Sequence, residues 1–223
     1  MKLRRHIGTL ACLALLVGLG VPPASSQTTG SGFLSNHSRL AKVGPLGDRH
    51  LSYTDPDVAA PQIQSLYILP VARFPAEARF DGIDDALVAE LLAYAGAQLR
   101  AQLGPRYKLT DSPNDADATL QVALTALAAQ PEGKTALDLV PLRLITGPVK
   151  DAALGKSLEV AATFEIRLSA PGAARPWREA AYPLKSKPIG RANNSKTHIT
   201  ADALKPAIER WSTALAEQLS AKP

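Results

Sequence analysis

The sulfur-containing residues of this 223-residue chain are confined to its first twelve positions, as Met1 and Cys12. The same stretch opens a segment with a cationic start, an uncharged run and a small polar exit, which is the layout of a removable secretory signal peptide. We therefore predict a mature protein without sulfur. Disulfides, thiol nucleophiles and cysteine-ligated metals are then excluded from its chemistry.

Cys12 also raises the question of lipid attachment, which needs a cysteine directly after the apolar run. Here the apolar run continues beyond Cys12, and Thr9 stands where a leucine is usual. Fifteen uncharged residues are too few to span a membrane comfortably. We therefore predict a signal peptide over residues 1–26, cleavage before Gln27 and a periplasmic protein that is not lipid-anchored. Outer-membrane association is the alternative.

The remaining residues with catalytic potential form no recognisable set. Gly155-Lys156-Ser157 ends like a phosphate-binding loop, but Lys150 occupies the position of the required glycine. His37, His50 and His198 have no partner at metal-site spacing, so each is interpreted as a solvated loop residue. No catalytic residue, metal site or cofactor is predicted.

Two carboxylates share one side of a predicted strand. Glu159 and Glu165 are six residues apart, which is roughly 20 Å along a strand. That distance is too long for paired acid and base catalysis along one strand. A solvated sheet face is the interpretation that we attach to them.

Two segments are candidates for binding rather than catalysis. The stretch ALDLVPLRLITGPV (residues 136–149) is too apolar for a solvated loop, and it either completes the core or docks a partner. A basic loop follows later and could contact an anionic envelope polymer or headgroup, or simply be solvated. The candidate binding residues of the two segments are Leu139, Leu142, Leu144, Ile145, Lys185, Lys187, Arg191 and Lys196.

The charge balance argues against nucleic-acid binding. The leader holds three of the 25 basic residues and none of the 20 acidic ones. The mature chain therefore keeps 22 basic and 20 acidic residues, a net charge of only +2. So small a charge gives no electrostatic case for DNA or RNA as a partner.

The elements that would position these residues are two helices and several strands. We predict a helix from a cap at Asp81 to Gly104-Pro105, with Asp84 and Asp85 in its first turn. Strands are predicted in the runs HLSYTD, SLYILPV and YKLT, over residues 119–128, and in a hairpin around Pro171-Gly172. The face of a second helix is formed by Leu204, Ile208, Trp211, Leu215 and Leu219.

This pattern predicts an α+β fold, with a mainly antiparallel sheet and both amphipathic helices on one face. Residues 27–49 are expected to form a flexible tether or a wrap, and residues 50–223 a single domain. Phe33 and Leu34 are the only bulky apolar pair before the body of the chain. They either tuck against the domain or serve as a docking peptide.

The segment Ser31-Gly32-Phe33-Leu34-Ser35, the passage ATLQVALTALAAQ and the helix around Trp211 together resemble an uncharacterised family of bacterial envelope proteins, most of them predicted lipoproteins. The resemblance implies a cell-envelope protein but brings no catalytic residues. We predict a non-catalytic accessory protein that binds an unknown envelope protein or an anionic envelope polymer, with membrane association left open. The alternative is a small periplasmic hydrolase with a site assembled from scattered polar residues.

Overall fold

The computed structural model of the chain describes residues 30–35, 37–44, 50–80, 82–132, 157–191 and 199–220. These residues form one sheet of nine strands and two α-helices. The strands are β1 (Ala41–Val43), β2 (His50–Thr54), β3 (Ser65–Ile68), β4 (Ala72–Arg73), β5 (Lys108–Thr110), β6 (Ala118–Pro131), β7 (Ser157–Ser169), β8 (Arg178–Lys185) and β9 (Gly190–Arg191). The helices are α1 (Asp85–Leu103) and α2 (Lys205–Ser220).

The strand order is β1-β2-β8-β7-β6-β3-β5, with β4 beside β6 and β9 beside β7. The α+β class is confirmed, and the sheet is mostly antiparallel, as predicted, although it also contains parallel pairs. β3 pairs in parallel with both β5 and β6, and β4 pairs in parallel with β6. α1 lies between β4 and β5 in the chain, and such a crossover is what parallel neighbours require.

Both helices cover the same face of the sheet, as expected. α1 buries Val88, Leu91 and Leu99, while the predicted face of α2 is confirmed by the burial of Ile208 and Leu215. These residues join the inward side chains of β3, β6, β7 and β8 in one large core cluster. Burial of this apolar area supplies the main favourable term in folding.

α1 begins later than predicted. The N-cap is Asp84, whose side chain accepts from the backbone N–H of Ala86, and Asp85 opens the first turn. Gly82 precedes it with φ +73°, a left-handed conformation that glycine adopts without steric cost. A helix that included Gly82 would need the opposite sign of φ, so the cap moves past it. Asp81 lies outside the described residues.

The hairpin of β7 and β8 is confirmed, with Ala161 opposite Lys185 and Leu168 opposite Arg178. β6 is the other neighbour of β7, and its register with β7 shifts between Leu124 and Ala126. Beyond the shift it is Leu127 that joins the core cluster on the helix side. The strand predicted over residues 119–128 is confirmed, but its alternation breaks at this bulge, which inserts one extra residue.

Candidate functional site

The sheet face opposite the helices carries buried charged side chains. Glu165 is 1% exposed, Glu179 4% and Glu159 6%. The prediction of a solvated face for Glu159 and Glu165 is therefore wrong. Strand alternation assigned these side chains to the correct side of the sheet, but alternation does not reveal what covers that side.

Over Glu165 and Glu179 lies a segment that we call the strap, residues 30–35. Its side chains Phe33 and Leu34 are 2% and 3% exposed and form a second apolar cluster with alanines of β6 and β8. Phe33 packs edge-to-face on Phe74, with ring centroids 5.4 Å apart. The guanidinium carbon of Arg167 lies over the Phe33 ring, 4.6 Å from its centre. These contacts hold the apolar pair of the strap against the sheet.

The local sequence explains why the strap fits here. Glu165 is paired across the sheet with Ala123 of β6 and Ala181 of β8. These methyl side chains leave room above the sheet at this point. Gly32 has φ +84°, so the chain can turn immediately before Phe33.

Two serines of the strap donate hydrogen bonds to the two carboxylates. Ser31 Oγ donates to Glu165 Oε2 at 2.5 Å. Ser35 donates to Glu179 Oε1 from its backbone N–H at 2.8 Å and from its hydroxyl at 3.0 Å. Arg167 Nε lies 3.5 Å from the same Glu179 oxygen. Because a buried carboxylate without partners is costly, these hydroxyls stabilise the charges that the strap covers.

His37 follows the strap and lies beside Glu165. Its Nε2 is 3.4 Å from Glu165 Oε1 and 3.4 Å from Ser31 Oγ. Burial raises the pKa of Glu165 to about 7, although the hydroxyl of Ser31 and the charge of Arg167 act in the opposite direction. Burial lowers the pKa of His37, and the charge of Glu179 opposes that shift.

The serine, histidine and glutamate in this cluster do not form a catalytic relay. In a hydrolase triad, one imidazole nitrogen accepts the serine proton and the other donates to the carboxylate. Here Ser31 and Glu165 both lie beside Nε2, while Nδ1 is buried with no hydrogen-bond partner in the described part of the chain. Ser31 already donates directly to Glu165. The arrangement fixes the strap rather than activating a nucleophile.

The histidine predictions are corrected for two residues. The side chain of His37 is only 7% exposed. His50 is 4% exposed, lies in β2 and stacks on Tyr182 with ring centroids 4.7 Å apart. Each has an apolar or charged neighbour supplied by a distant part of the chain, which spacing along the sequence cannot show. His198 lies outside the described residues.

Glu159 belongs to a separate polar group on the same face. It accepts a hydrogen bond from Gln130 Nε2 at 2.8 Å and forms an ion pair with Lys185. Lys185, predicted as part of a basic binding loop, is therefore engaged with the sheet, while Lys187 is exposed. Arg191 lies in β9, and the structure does not describe its side chain. The other predicted binding residues fall outside the described part of the chain: Leu139, Leu142, Leu144, Ile145 and Lys196.

Sequence reasoning missed Ser31, Ser35 and Glu179 as members of one site. A signal was present, because an apolar pair flanked by hydroxyl residues precedes a sheet whose central strands carry carboxylates on the side away from the helices. Nothing in the spacing connects the two features, since Ser35 and Glu179 are 144 positions apart. Only the tertiary fold brings them together.

Within the described ranges, no group of three or more histidine, cysteine, aspartate or glutamate side chains could hold a metal ion. In the same part of the chain, no helix has the length and apolar character needed to cross a membrane.

Comparisons with known proteins agree with the resemblance noted from the sequence. Residues 29–215 match the family described as protein of unknown function, DUF3313. The sequence has no match among curated proteins.

Three solved structures are similar in fold. PelC from Paraburkholderia phytofirmans, described as a dodecamer, is 12% identical, covers 75% of this chain and 96% of its own, and has a TM-score of 0.35. Hypothetical protein CT253 from Chlamydia trachomatis is 9% identical, with coverages of 70% and 95% and a TM-score of 0.43. A minor lipoprotein from Acinetobacter baumannii is 10% identical, with coverages of 70% and 92% and a TM-score of 0.33.

Proposed function

Since the chain belongs to the DUF3313 family of proteins of unknown function, we propose that it is a non-catalytic accessory protein of the bacterial cell envelope that acts by binding. One observation carries this proposal. The buried groups best suited to catalysis are occupied by the protein itself, because Ser31 and Ser35 hydrogen-bond Glu165 and Glu179. A catalytic carboxylate must instead reach the substrate or a water molecule.

The envelope location rests on the leader. Its cationic start, uncharged run and small-residue exit are typical of export through the inner membrane. The mature protein would then fold in a compartment where a chain without sulfur needs no thiol protection. Periplasmic location is our first choice within the envelope, and outer-membrane association is the second.

An envelope protein is the partner that we favour, and the apolar segment 136–149 is its proposed binding surface. Leu139, Leu142, Leu144 and Ile145 supply the apolar side chains that a protein interface buries at its centre. An anionic polymer is the weaker candidate. Lys185 pairs with Glu159, so a polymer would rely on Lys187, Arg191 and Lys196.

The test introduces Leu142→Asp and Leu144→Asp together and measures in-cell cross-linking to envelope proteins. We expect cross-linked product to fall at least about tenfold, because a charge at an interface core is strongly unfavourable. The melting temperature should stay that of the wild type. The matched control is Val43→Asp, which places the same charge on a residue that is 45% exposed on β1 and should leave cross-linking unchanged.

Two results would count against this assignment. If the double variant unfolds, segment 136–149 is part of the core and the interface lies elsewhere. If the purified wild-type protein instead hydrolyses an envelope substrate and Ser31→Ala abolishes that hydrolysis, the hydrolase interpretation replaces the binding function.

A further inference from the structure

The strap lies on the sheet in the manner of a short bound peptide. Its apolar pair, Phe33 and Leu34, packs on the sheet, and the hydroxyls of Ser31 and Ser35 donate to carboxylates beneath it. Among the described residues, no backbone–backbone hydrogen bond joins the strap to a strand. The surface below therefore recognises the strap by its side chains, which is how it would recognise a segment of another protein.

We propose that this surface is a peptide-binding site, which the strap occupies as an internal ligand in the free protein. We call it the strap groove, and it comprises Phe74, Ala123, Glu165, Glu179 and Ala181. Its partner is a protein segment with the pattern basic residue, glycine, phenylalanine and leucine, the basic residue taking the place of Ser31. The inference goes beyond the proposed binding segment 136–149 and does not depend on it.

The charge of the strap groove favours a basic partner. Glu165 and Glu179 are both buried, while the strap sequence SGFLS contains no charged side chain to balance them. Arg167 lies 3.5 Å from a carboxylate oxygen of Glu179. His37 brings no donor to Glu165 in this arrangement, because its Nε2 accepts from the backbone N–H of Ser31 at 3.3 Å. Glu165 is therefore the carboxylate that lacks a cationic donor.

The position of Ser31 is where a partner can improve on the strap. Ser31 Oγ lies 2.5 Å from Glu165 Oε2, and the residue is only half-buried, so a longer side chain has room on the solvent side to fold back onto the carboxylate. A charge-assisted hydrogen bond from a basic residue is roughly twice as strong as a neutral one. The next position keeps its glycine, because Gly32 has φ +84°.

The strap competes for the groove from within the same chain. An internal ligand on a short connection acts at an effective concentration of about millimolar or more. A separate peptide therefore binds only the fraction of molecules whose strap is released, and its apparent affinity falls by that fraction. The strap is in this sense an inhibitor of its own groove, and loosening it should increase binding of the partner segment.

Fluorescence anisotropy with synthetic peptides tests the groove in the whole exported chain. The probe is a labelled peptide of residues 28–36 with blocked ends that carries Ser31→Arg, and a matched peptide keeps the serine. The protein variant Phe33→Ala has a weakened strap. We expect it to bind the Ser31→Arg peptide at least about tenfold more tightly than the wild-type protein does. A peptide that also carries Phe33→Ala should lose this binding.

A second comparison assigns the basic residue to its carboxylate. The Phe33→Ala protein should bind the Ser31→Arg peptide about fivefold more tightly than the matched serine peptide. Competition by the strap cancels from this ratio. Addition of Glu165→Gln to the protein should abolish the preference. The matched control, Glu159→Gln, changes a buried glutamate of the same strand and face that pairs with Lys185, and it should leave the preference unchanged.

The proposal is overturned if the Ser31→Arg peptide binds neither the wild-type protein nor the Phe33→Ala protein. Equal binding of the two peptides overturns the basic partner and makes the strap of a second copy the occupant. A preference that survives Glu165→Gln also overturns it. Should Phe33→Ala fail to fold, the protein variant Ser35→Ala takes its place, because it removes only a hydroxyl donor to Glu179, and the same comparisons decide.

Discussion

At the scale of single residues, the strap combines two kinds of contact that would be weak separately. Phe33 and Leu34 bury apolar surface on the sheet, and Ser31 and Ser35 supply donors to carboxylates that this burial removes from water. Each contact makes the other favourable, since the apolar pair could not cover ionised groups that lacked donors. We therefore regard the strap as part of the folded domain.

Replacement of Phe33 by alanine tests that conclusion. The ring is 2% exposed and contacts both Phe74 and Arg167. Loss of a buried phenylalanine costs about 3–5 kcal/mol in the free energy of unfolding, which denaturant titration would detect. Phe33→Leu, which keeps an apolar side chain there, should cost less. A variant Phe33→Ala as stable as the wild type would show that the strap contributes nothing to the fold.

Glu165→Gln should change the pH dependence of global stability. The wild-type protein loses a favourable contribution from Glu165 between about pH 4.5 and pH 7, because the pKa of this carboxyl is about 7 in the fold. The glutamine is neutral throughout. The stability of the variant relative to the wild type should therefore rise by a few kcal/mol from pH 5 to pH 8, measured by urea titration at each pH. An equal pH dependence for the two proteins would refute the raised pKa.

The residue types of this site could be found in the sequence, but not their association. Period-two alternation placed Glu159 and Glu165 correctly on the side of β7 that faces away from the helices. Burial of that side depends on a strap more than 120 positions earlier in the chain, and no local pattern specifies it. The same argument applies to His50, whose stacking partner Tyr182 comes from a distant strand.

At the scale of elements, long periodic segments were predictable and short ones were not. α2 has a strong period and buries the face that the sequence indicates. β7 also has a strong period, but it is buried on both faces, whereas the sequence indicates burial on one. β3 and β5 are short, and their parallel pairing arises from the crossover through α1. The start of α1 was misplaced because several aspartates compete for the cap, and the positive φ of Gly82 decides between them.

Trp211 is the side chain that should anchor α2 most strongly. It is 4% exposed, stacks on Phe164 with centroids 4.9 Å apart and lies 6.0 Å from the ring of Tyr182. We expect Trp211→Ala to cost about 3–5 kcal/mol and to lower the melting temperature by several degrees. Glu217→Ala on the exposed side of the same helix should cost less than about 0.5 kcal/mol. Equal melting temperatures for the two variants would contradict the packing of α2 described above.

At the scale of the whole molecule, the strap fixes where the chain enters the domain. The strap begins at Gly30, three positions after Gln27, the first residue expected after cleavage. A protein cleaved there would have almost no free chain ahead of the strap. A protein lipidated at Cys12 would instead carry seventeen residues between the lipid and residue 30. The two forms of processing therefore predict different relations between the domain and a membrane.

The final prediction concerns this processing. We expect the exported protein to begin near Gln27 and to fractionate with soluble periplasmic contents, because the leader has a peptidase-type exit and Cys12 lies inside the apolar run. Intact-mass measurement of the purified protein tests it. Cys12→Ser should leave both the mass and the fraction unchanged, whereas a bulky charged residue at Ala24 should slow cleavage. Recovery of a species with diacylglycerol on Cys12, or of the whole leader in the membrane, would instead make this chain a membrane-tethered protein.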